Sequence, residues 1–315
     1  MNRILVIRGG AIGDFILTLP AIKLLRENFP RAHLEILGYK HIVALAEQRF
    51  YAQAVRSIEY GRLASFFARD AELPPDLADY FHGFDLIVSY LFDPDQIFER
   101  NLRRCGVDNF LAGSPKIGAH EHAARQLARP LEELDLSLGE AGAQLFPSSA
   151  DRAFGRDFLS TNESEIIALH PGSGSPTKNW PVENWLELAC WLIESRPADS
   201  LLIVGGEADR ETLASVRRVL PATVRFAENL SLTELAAVLE QCALFLGHDS
   251  GISHLAAAVG APCILLFGPT DPAVWAPLGK NVQVIRSPNE TLAEISGARV
   301  QRAVDYELMR IGIKT

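Results

Sequence analysis

Cysteine is scarce in this 315-residue chain: Cys105, Cys190, Cys242 and Cys263 stand far apart with no Cys-x-x-Cys pair. Three of them fall in apolar helix or strand patterns, so the economical reading is buried free thiols in a reducing compartment. Long hydrophobic runs are missing too. No uninterrupted apolar stretch reaches the roughly 18 residues of a membrane-spanning helix, and the N-terminus opens directly into a predicted strand. The expectation is a soluble, cytoplasmic protein. Excess basic charge is also lacking: 16 basic residues face 19 acidic ones in residues 1–150, and 14 face 20 in residues 151–315, for a net charge of −9. No basic block is large enough to neutralise many phosphates, which argues against a nucleic-acid partner.

What the chain does have is apolar content, 48%, and a length beyond that at which one core usually stops growing, so two domains are expected. Short runs rich in Val, Ile and Leu alternate with segments of helical period, the pattern of βαβ units on parallel sheets. Strands are predicted at Arg3 to Arg8, Leu34 to Gly38, Ala54 to Tyr60 and Asp85 to Tyr90, with a weaker stretch from Val107 to Gly118. A second series covers Glu165 to His170, Leu201 to Gly205, Val224 to Phe226, Leu244 to Gly247, Cys263 to Phe267 and Val282 to Ile285. Residues 119–164 carry no comparable strand and read as the linker. The expected division is 1–150, 151–290 and a helical tail, 291–315, able to cross back to the first domain. Ser231-Leu232-Thr233-Glu234 reads as a capping box, and Pro181 suits the first turn of the following helix.

Two glycine-rich turns lie half the sequence apart, each between a predicted strand and helix. The first is Gly9-Gly10-Ala11-Ile12-Gly13-Asp14. It lacks the Gly-x-Gly-x-x-Gly spacing of a dinucleotide fingerprint, and the only acidic residue near the ribose position, Glu35, lies inside a strand. Asp14 reads equally as a helix cap. The second, His170-Pro171-Gly172-Ser173-Gly174-Ser175-Pro176-Thr177-Lys178, combines glycines for close backbone approach, hydroxyls and a cation, although it is not a P-loop. A third element, Gly247-His248-Asp249-Ser250-Gly251-Ile252-Ser253-His254, follows a buried strand and opens a helix. Asp249 there reads either as a cap or as a ligand-facing group, and His254 either as a core histidine or as part of a site. Both turns of the second half would lie at the C-terminal ends of parallel strands, where open α/β sheets bind ligands.

These segments together resemble glycosyltransferase family 9, the heptosyltransferases of the bacterial lipopolysaccharide inner core. The resemblance covers most of the chain. It rests on Arg3 to Arg8 through Gly13-Asp14 with Leu17-Thr18-Leu19-Pro20-Ala21, on His170-Pro171-Gly172 with Lys178-Asn179-Trp180-Pro181, and on Asp249-Ser250-Gly251 and His254 to Ala258 running on to Leu266-Phe267-Gly268-Pro269-Thr270-Asp271-Pro272. It implies a GT-B fold, α/β with two Rossmann-like domains whose parallel sheets face across a cleft, and metal-independent, inverting transfer from a nucleotide-diphosphate sugar, ADP-heptose first. No cofactor or metal is implied. The C-terminal domain would hold the donor, with Gly172, Ser173, Thr177 and Lys178 near the diphosphate, Asp249, Ser250, Gly251 and His254 around phosphates or sugar, and Glu207 at the nucleoside. Asp14 matches the family's general base, with Lys178 as the second catalytic residue.

The chain departs from the family in having Gly9-Gly10 where bulkier residues usually precede the Gly-Asp pair. The acceptor would be a lipid-linked or oligosaccharide chain, and peripheral contact with the cytoplasmic face of the inner membrane would fall to basic residues such as Arg100, Arg103 and Arg104. Asp93-Pro94-Asp95 has the spacing with which metal-dependent transferases hold a divalent cation, but a helical segment follows and favours capping. His120-Glu121-His122 reads as a solvated turn. Two alternatives stay open: a nucleotide-sugar epimerase on the same fold, and a non-catalytic nucleotide-binding α/β protein.

Overall fold

The computed structural model of the protein describes residues 1–139, 142–160 and 165–312. Two compact units, Met1–Ala141 and Gly142–Thr315, divide the chain. In the first, strands β1 (Arg3–Arg8), β2 (His33–Gly38), β3 (Ala54–Ser57), β4 (Leu86–Ser89) and β5 (Phe110–Ala112) form one parallel sheet in the order β3-β2-β1-β4-β5. The apolar runs are continuous rather than alternating because both faces are covered, and β1 is buried from Ile4 through Arg8. Leu5, Ile7, Phe66, Phe81, Phe98 and Leu102 form the centre of one core layer.

The second unit holds β6 (Ile166–Leu169), β7 (Ser200–Gly205), β8 (Arg225–Glu228), β9 (Leu244–His248), β10 (Cys263–Phe267) and β11 (Val282–Arg286). Its order is β11-β10-β9-β6-β7-β8, all parallel. Ala168 of β6 sits in register with Leu202 on one side and Phe245 on the other. Both sheets are doubly wound, so each has a point where the strand order reverses: between β1 and β4 in the first, between β6 and β9 in the second. The C-terminal mouth of that point is where such sheets leave a crevice for ligands.

The units divide ahead of the boundary expected at 150. Long-range contacts decide this: Leu145 donates its N–H to Ala258 O at 2.8 Å, the helix Ser149–Leu159 packs on Leu232–Leu239, and Arg152 grips Glu240 through two 2.7 Å bonds. Of the expected linker, residues 140–141 and 161–164 lie outside the described residues. The last helix, Gly297–Arg310, belongs to the second unit, with Val300, Val304 and Leu308 buried in one core with Trp180 and Trp185. Residues 313–315 of the tail lie outside the described residues. The Ser231 capping box forms as read, its hydroxyl accepting from Glu234 N–H and the Glu234 carboxylate accepting from Ser231 N–H.

Two local readings are corrected. Cys242 and Cys263 are buried, and burial pushes the Cys242 thiol up to about 12, but Cys105 is half-buried and Cys190 exposed, since it takes the outer face of its helix. His122 is buried rather than solvated, because its Nδ1 accepts from Ala124 N–H and starts the helix Ala123–Ala128.

All four tryptophans lie in the second unit, so their fluorescence isolates its unfolding. Leu308→Ala removes a fully buried side chain from that core. We expect the urea transition followed by tryptophan emission to lose about 2–5 kcal/mol. A loss below about 0.5 kcal/mol, the range of surface substitutions, would mean that the last helix is not part of this core.

Candidate functional site

The site in the second unit is built around a histidine that sequence reasoning left without a role. His248 ends β9 and is fully buried. Its Nε2 accepts from the backbone N–H of Trp180 at 2.8 Å and from the indole N–H of Trp185 at 3.3 Å, so the ring proton sits on Nδ1 and is donated to Gly172 O at 3.1 Å. Burial is the main cause of a pKa pushed down to about 3, and the bond to Gly172 works against it. The neutral ring thus fixes both ends of the glycine-rich loop that leaves β6.

That loop and the turn after β9 meet above the reversal point. Lys178 Nζ lies 2.6 Å from Asp249 Oδ2, and Thr270 Oγ1 donates to the same oxygen at 2.7 Å. The aspartate is largely buried and the lysine about a third exposed. Asp249 is therefore not the helix cap. Ser250 is, accepting from Ser253 N–H, and the helix runs Gly251–Ala258. Adjacent Asp and Ser are both good caps, and only the backbone shows which one takes the position. His254 lies one turn into that helix, its N–H donating to Ser250 O, and its side chain is buried. Ser173 Oγ turns inward to Ser175 O and Asn179 Oδ1. Thr177, 3.1 Å from Ser175 Oγ, lines an open groove of about 750 Å³ together with Pro171, Trp180, Thr212, Pro269 and Glu290.

Behind the loop is a buried acid that the sequence did not reveal. Asp209 Oδ2 accepts from Gly206 N–H at 3.0 Å and stands 3.4 Å from His170 Nε2. Burial would raise its pKa, but the bonds from His170 and Gly206 outweigh that and leave it lowered. A Cβ on Gly172 would overlap the Asp209 carboxylate, so this glycine is required by close approach. Glu207, two residues before, is exposed and pairs with Arg210 at 3.3 Å. The structure thus gathers Gly172, Lys178, Asp249, Ser250, Gly251 and His254 at one strand-end crevice. It sets Thr177 in the adjoining groove and Glu207 on the neighbouring turn. Missed were His248, Asp209 and Thr270. Of these, His248 and Thr270 stood inside segments already singled out, while Asp209 carried no local signal.

In the first unit, Asp14 stands at the third position of the helix Ile12–Asn28, after β1 and beside the reversal point. Ala11 is the N-cap, so Asp14 caps from within, accepting from Ala11 N–H at 2.9 Å. Its other oxygen lies 3.5 Å from Arg8 Nη2. Arg8 is buried, bonds Thr18 Oγ1 and Asp14 O, and has its pKa lowered by burial against the opposing Asp14 charge. Glu35 is buried under Arg56 and Tyr80 as a structural ion pair. Asp93 caps the helix Ile97–Arg104 through the N–H groups of Ile97 and Glu99, while Asp95 pairs with Arg69. Arg100, Arg103 and Arg104 each bond nearby backbone carbonyls.

Residues 117–302 match the family described as "Glycosyltransferase family 9 (heptosyltransferase)". The chain is 30% identical over 190 residues to lipopolysaccharide heptosyltransferase 1 of an Escherichia coli O18:K1:H7 strain, covering 58% of this chain and 57% of that protein. It is 25% identical over 319 residues to lipopolysaccharide heptosyltransferase 2 of Salmonella typhimurium, covering 90% and 88%. The chain thus spans little more than half of the first of these relatives. A solved structure of the E. coli ADP-heptose LPS heptosyltransferase II superposes with a TM-score of 0.80 at 19% identity, over 98% of this chain and 99% of that one, which shows a shared GT-B fold.

The buried neutral His248 makes a signed prediction. The unfolded chain takes up a proton near pH 6.5 and the folded one only near pH 3, so stability falls as pH drops through that window. Between pH 7 and 5 the loss attributable to this group is about 2 kcal/mol. Urea unfolding followed by tryptophan emission should show it, and His248→Gln should flatten the slope by about one proton; an unchanged slope would contradict a neutral buried ring.

Proposed function

Because the chain belongs to glycosyltransferase family 9, we propose that it transfers heptose from ADP-heptose to a lipopolysaccharide-core or related glycan acceptor, with inversion and without a metal ion. The observation that carries the reading is the Lys178–Asp249 pair held over the reversal point of the second sheet. The likeness to heptosyltransferases over most of the chain supports the sugar. The solved structure of a related E. coli heptosyltransferase with ADP supports the nucleotide.

In this reading the breaking bond joins the anomeric carbon to the diphosphate, and negative charge grows on the departing oxygen. Lys178 meets it, assisted by backbone N–H groups of the glycine loop and by the N-terminus of the helix Gly251–Ala258. Each charge-assisted bond contributes about 1.5–3 kcal/mol. Asp249 then holds Lys178 in place before the donor arrives and passes it to the phosphates afterwards. Thr177 and Ser173 serve the diphosphate, His254 and Ser250 the phosphates or the sugar, and Glu207 the nucleoside. The acceptor hydroxyl, a poor nucleophile, loses its proton to Asp14 as it attacks from the opposite face in a single displacement. With a lipid-linked acceptor the enzyme works peripherally at the cytoplasmic face of the inner membrane.

Calorimetry with ADP and a coupled ADP-release assay test the proposal. Lys178→Ala should weaken ADP about tenfold or more. Asp14→Asn should keep ADP affinity within about twofold while cutting acceptor-dependent release by about 10²–10⁴, the range for a lost general base. Turnover should persist in EDTA. Wild-type protein that binds no nucleoside diphosphate, or Asp14→Asn protein that turns over normally, would sink the reading.

A further inference from the structure

The three turns given to the donor spring from three adjacent strands, β7, β6 and β9, and a chain of buried polar side chains runs beneath them. Gly206 N–H donates to Asp209 Oδ2 at 3.0 Å, and the Asp209 N–H returns a bond to Gly206 O. The same carboxylate faces His170 Nε2 at 3.4 Å, and His170 Nδ1 lies 3.5 Å from Ser250 Oγ. His170 is 2% exposed, Ser250 8% and Asp209 9%. Ser250 in turn caps the helix that follows Asp249. The Asp209 carboxylate occupies the space that a side chain on Gly172 would need, so the glycine loop rests directly on it.

We propose that Asp209, His170 and Ser250 act as positioning residues that lock the 205–209, 170–178 and 249–251 turns in one register, so that a nucleoside diphosphate meets all three preorganised. Two physical facts favour a coupling over three separate braces. A buried carboxylate without its partners is costly, so displacing any one turn unpairs the others. His170 spans both neighbours with its two ring nitrogens, so it has one orientation that satisfies both. Asp209 and His170 act here through the turns they hold, His170 bridging Asp209 and Ser250, while Ser250 also caps the helix it starts. The proposal rests on the donor reading for its ligand, whereas the coupling itself is a property of the protein alone.

Hydrogen exchange of the ligand-free protein, read by mass spectrometry, tests the coupling. Asp209→Asn keeps the size and the Gly206 bond but discharges the link to His170. It should raise exchange in all three turns, and His170→Gln should do the same. Ser250→Ala, at the far end, should still loosen 205–209, which keeps the test open if a substitution of Asp209 prevents folding. In ADP calorimetry each of the first two variants should bind about tenfold or more weakly, and the double variant within about twofold of the weaker single one, the non-additivity expected of groups that act as a unit. Exchange confined to the substituted turn, or ADP losses that multiply, would overturn the proposal. Coupled exchange in a protein that binds no nucleoside diphosphate would instead remove the donor reading and leave the coupling standing.

Discussion

The second unit depends on one neutral imidazole. His248 satisfies the Trp185 indole N–H from the next helix and, at the two ends of a loop of glycine, serine and proline with little apolar surface of its own, the Trp180 N–H and the Gly172 carbonyl. Such a segment cannot hold one shape by burial; it is held because the Gly172 carbonyl near its start and the Trp180 N–H at its end both meet a ring that cannot move. The ring is fixed in turn by the edge-on packing of Trp185, with centroids 5.2 Å apart, and Trp180 is fixed by donating its indole N–H to Ile295 O at 2.8 Å. The loop's geometry is therefore inherited from the core, which is what preorganisation of a binding turn requires.

Against that rigid frame the Lys178–Asp249 pair is the adjustable part. The lysine of the Lys178–Asp249 pair is about a third exposed, whereas the bonds at His248 are fully buried and costly to leave unmade. Under the transferase reading an arriving diphosphate replaces the carboxylate as the partner of Lys178, so the ion pair is exchanged rather than lost, and the frame around it does not yield. Thr270 keeps one bond on Asp249 when the lysine leaves, so the carboxylate is not stranded.

The sheets and their order of alternation with helices were legible because a parallel strand buried on both faces writes itself as an unbroken apolar run. The strands from β1 to β11 appear where those runs stood, with ends moved by a few residues. The crevice was legible as well, since glycines and hydroxyls between a strand and a helix have few other uses. What could not be read were contacts between residues far apart in the chain. Asp209 looks like one more surface acid on a polar helix start, and only its approach to Gly172 and His170 gives it meaning. The same blindness placed the unit boundary at 150, because the bonds that draw residues from 142 onwards into the second unit reach Ala258 and Glu240. It also left Asp249 readable as a cap, since local preference cannot choose between Asp249 and its neighbour Ser250.

Of the two glycines that open the first turn, Gly10 has a physical account. Gly10 has φ +99°, and a Cβ there would come within 2.6 Å of Asp14 Oδ2. A side chain at this position would be strained by the backbone and would also push the carboxylate off Ala11 N–H. Glycine therefore lets Asp14 fold back over its own turn, with Oδ2 engaged by the backbone and Oδ1 beside Arg8 at 3.5 Å, a distance too long for a strong bond. If the carboxylate is the base, Oδ1 is the oxygen with room for a proton.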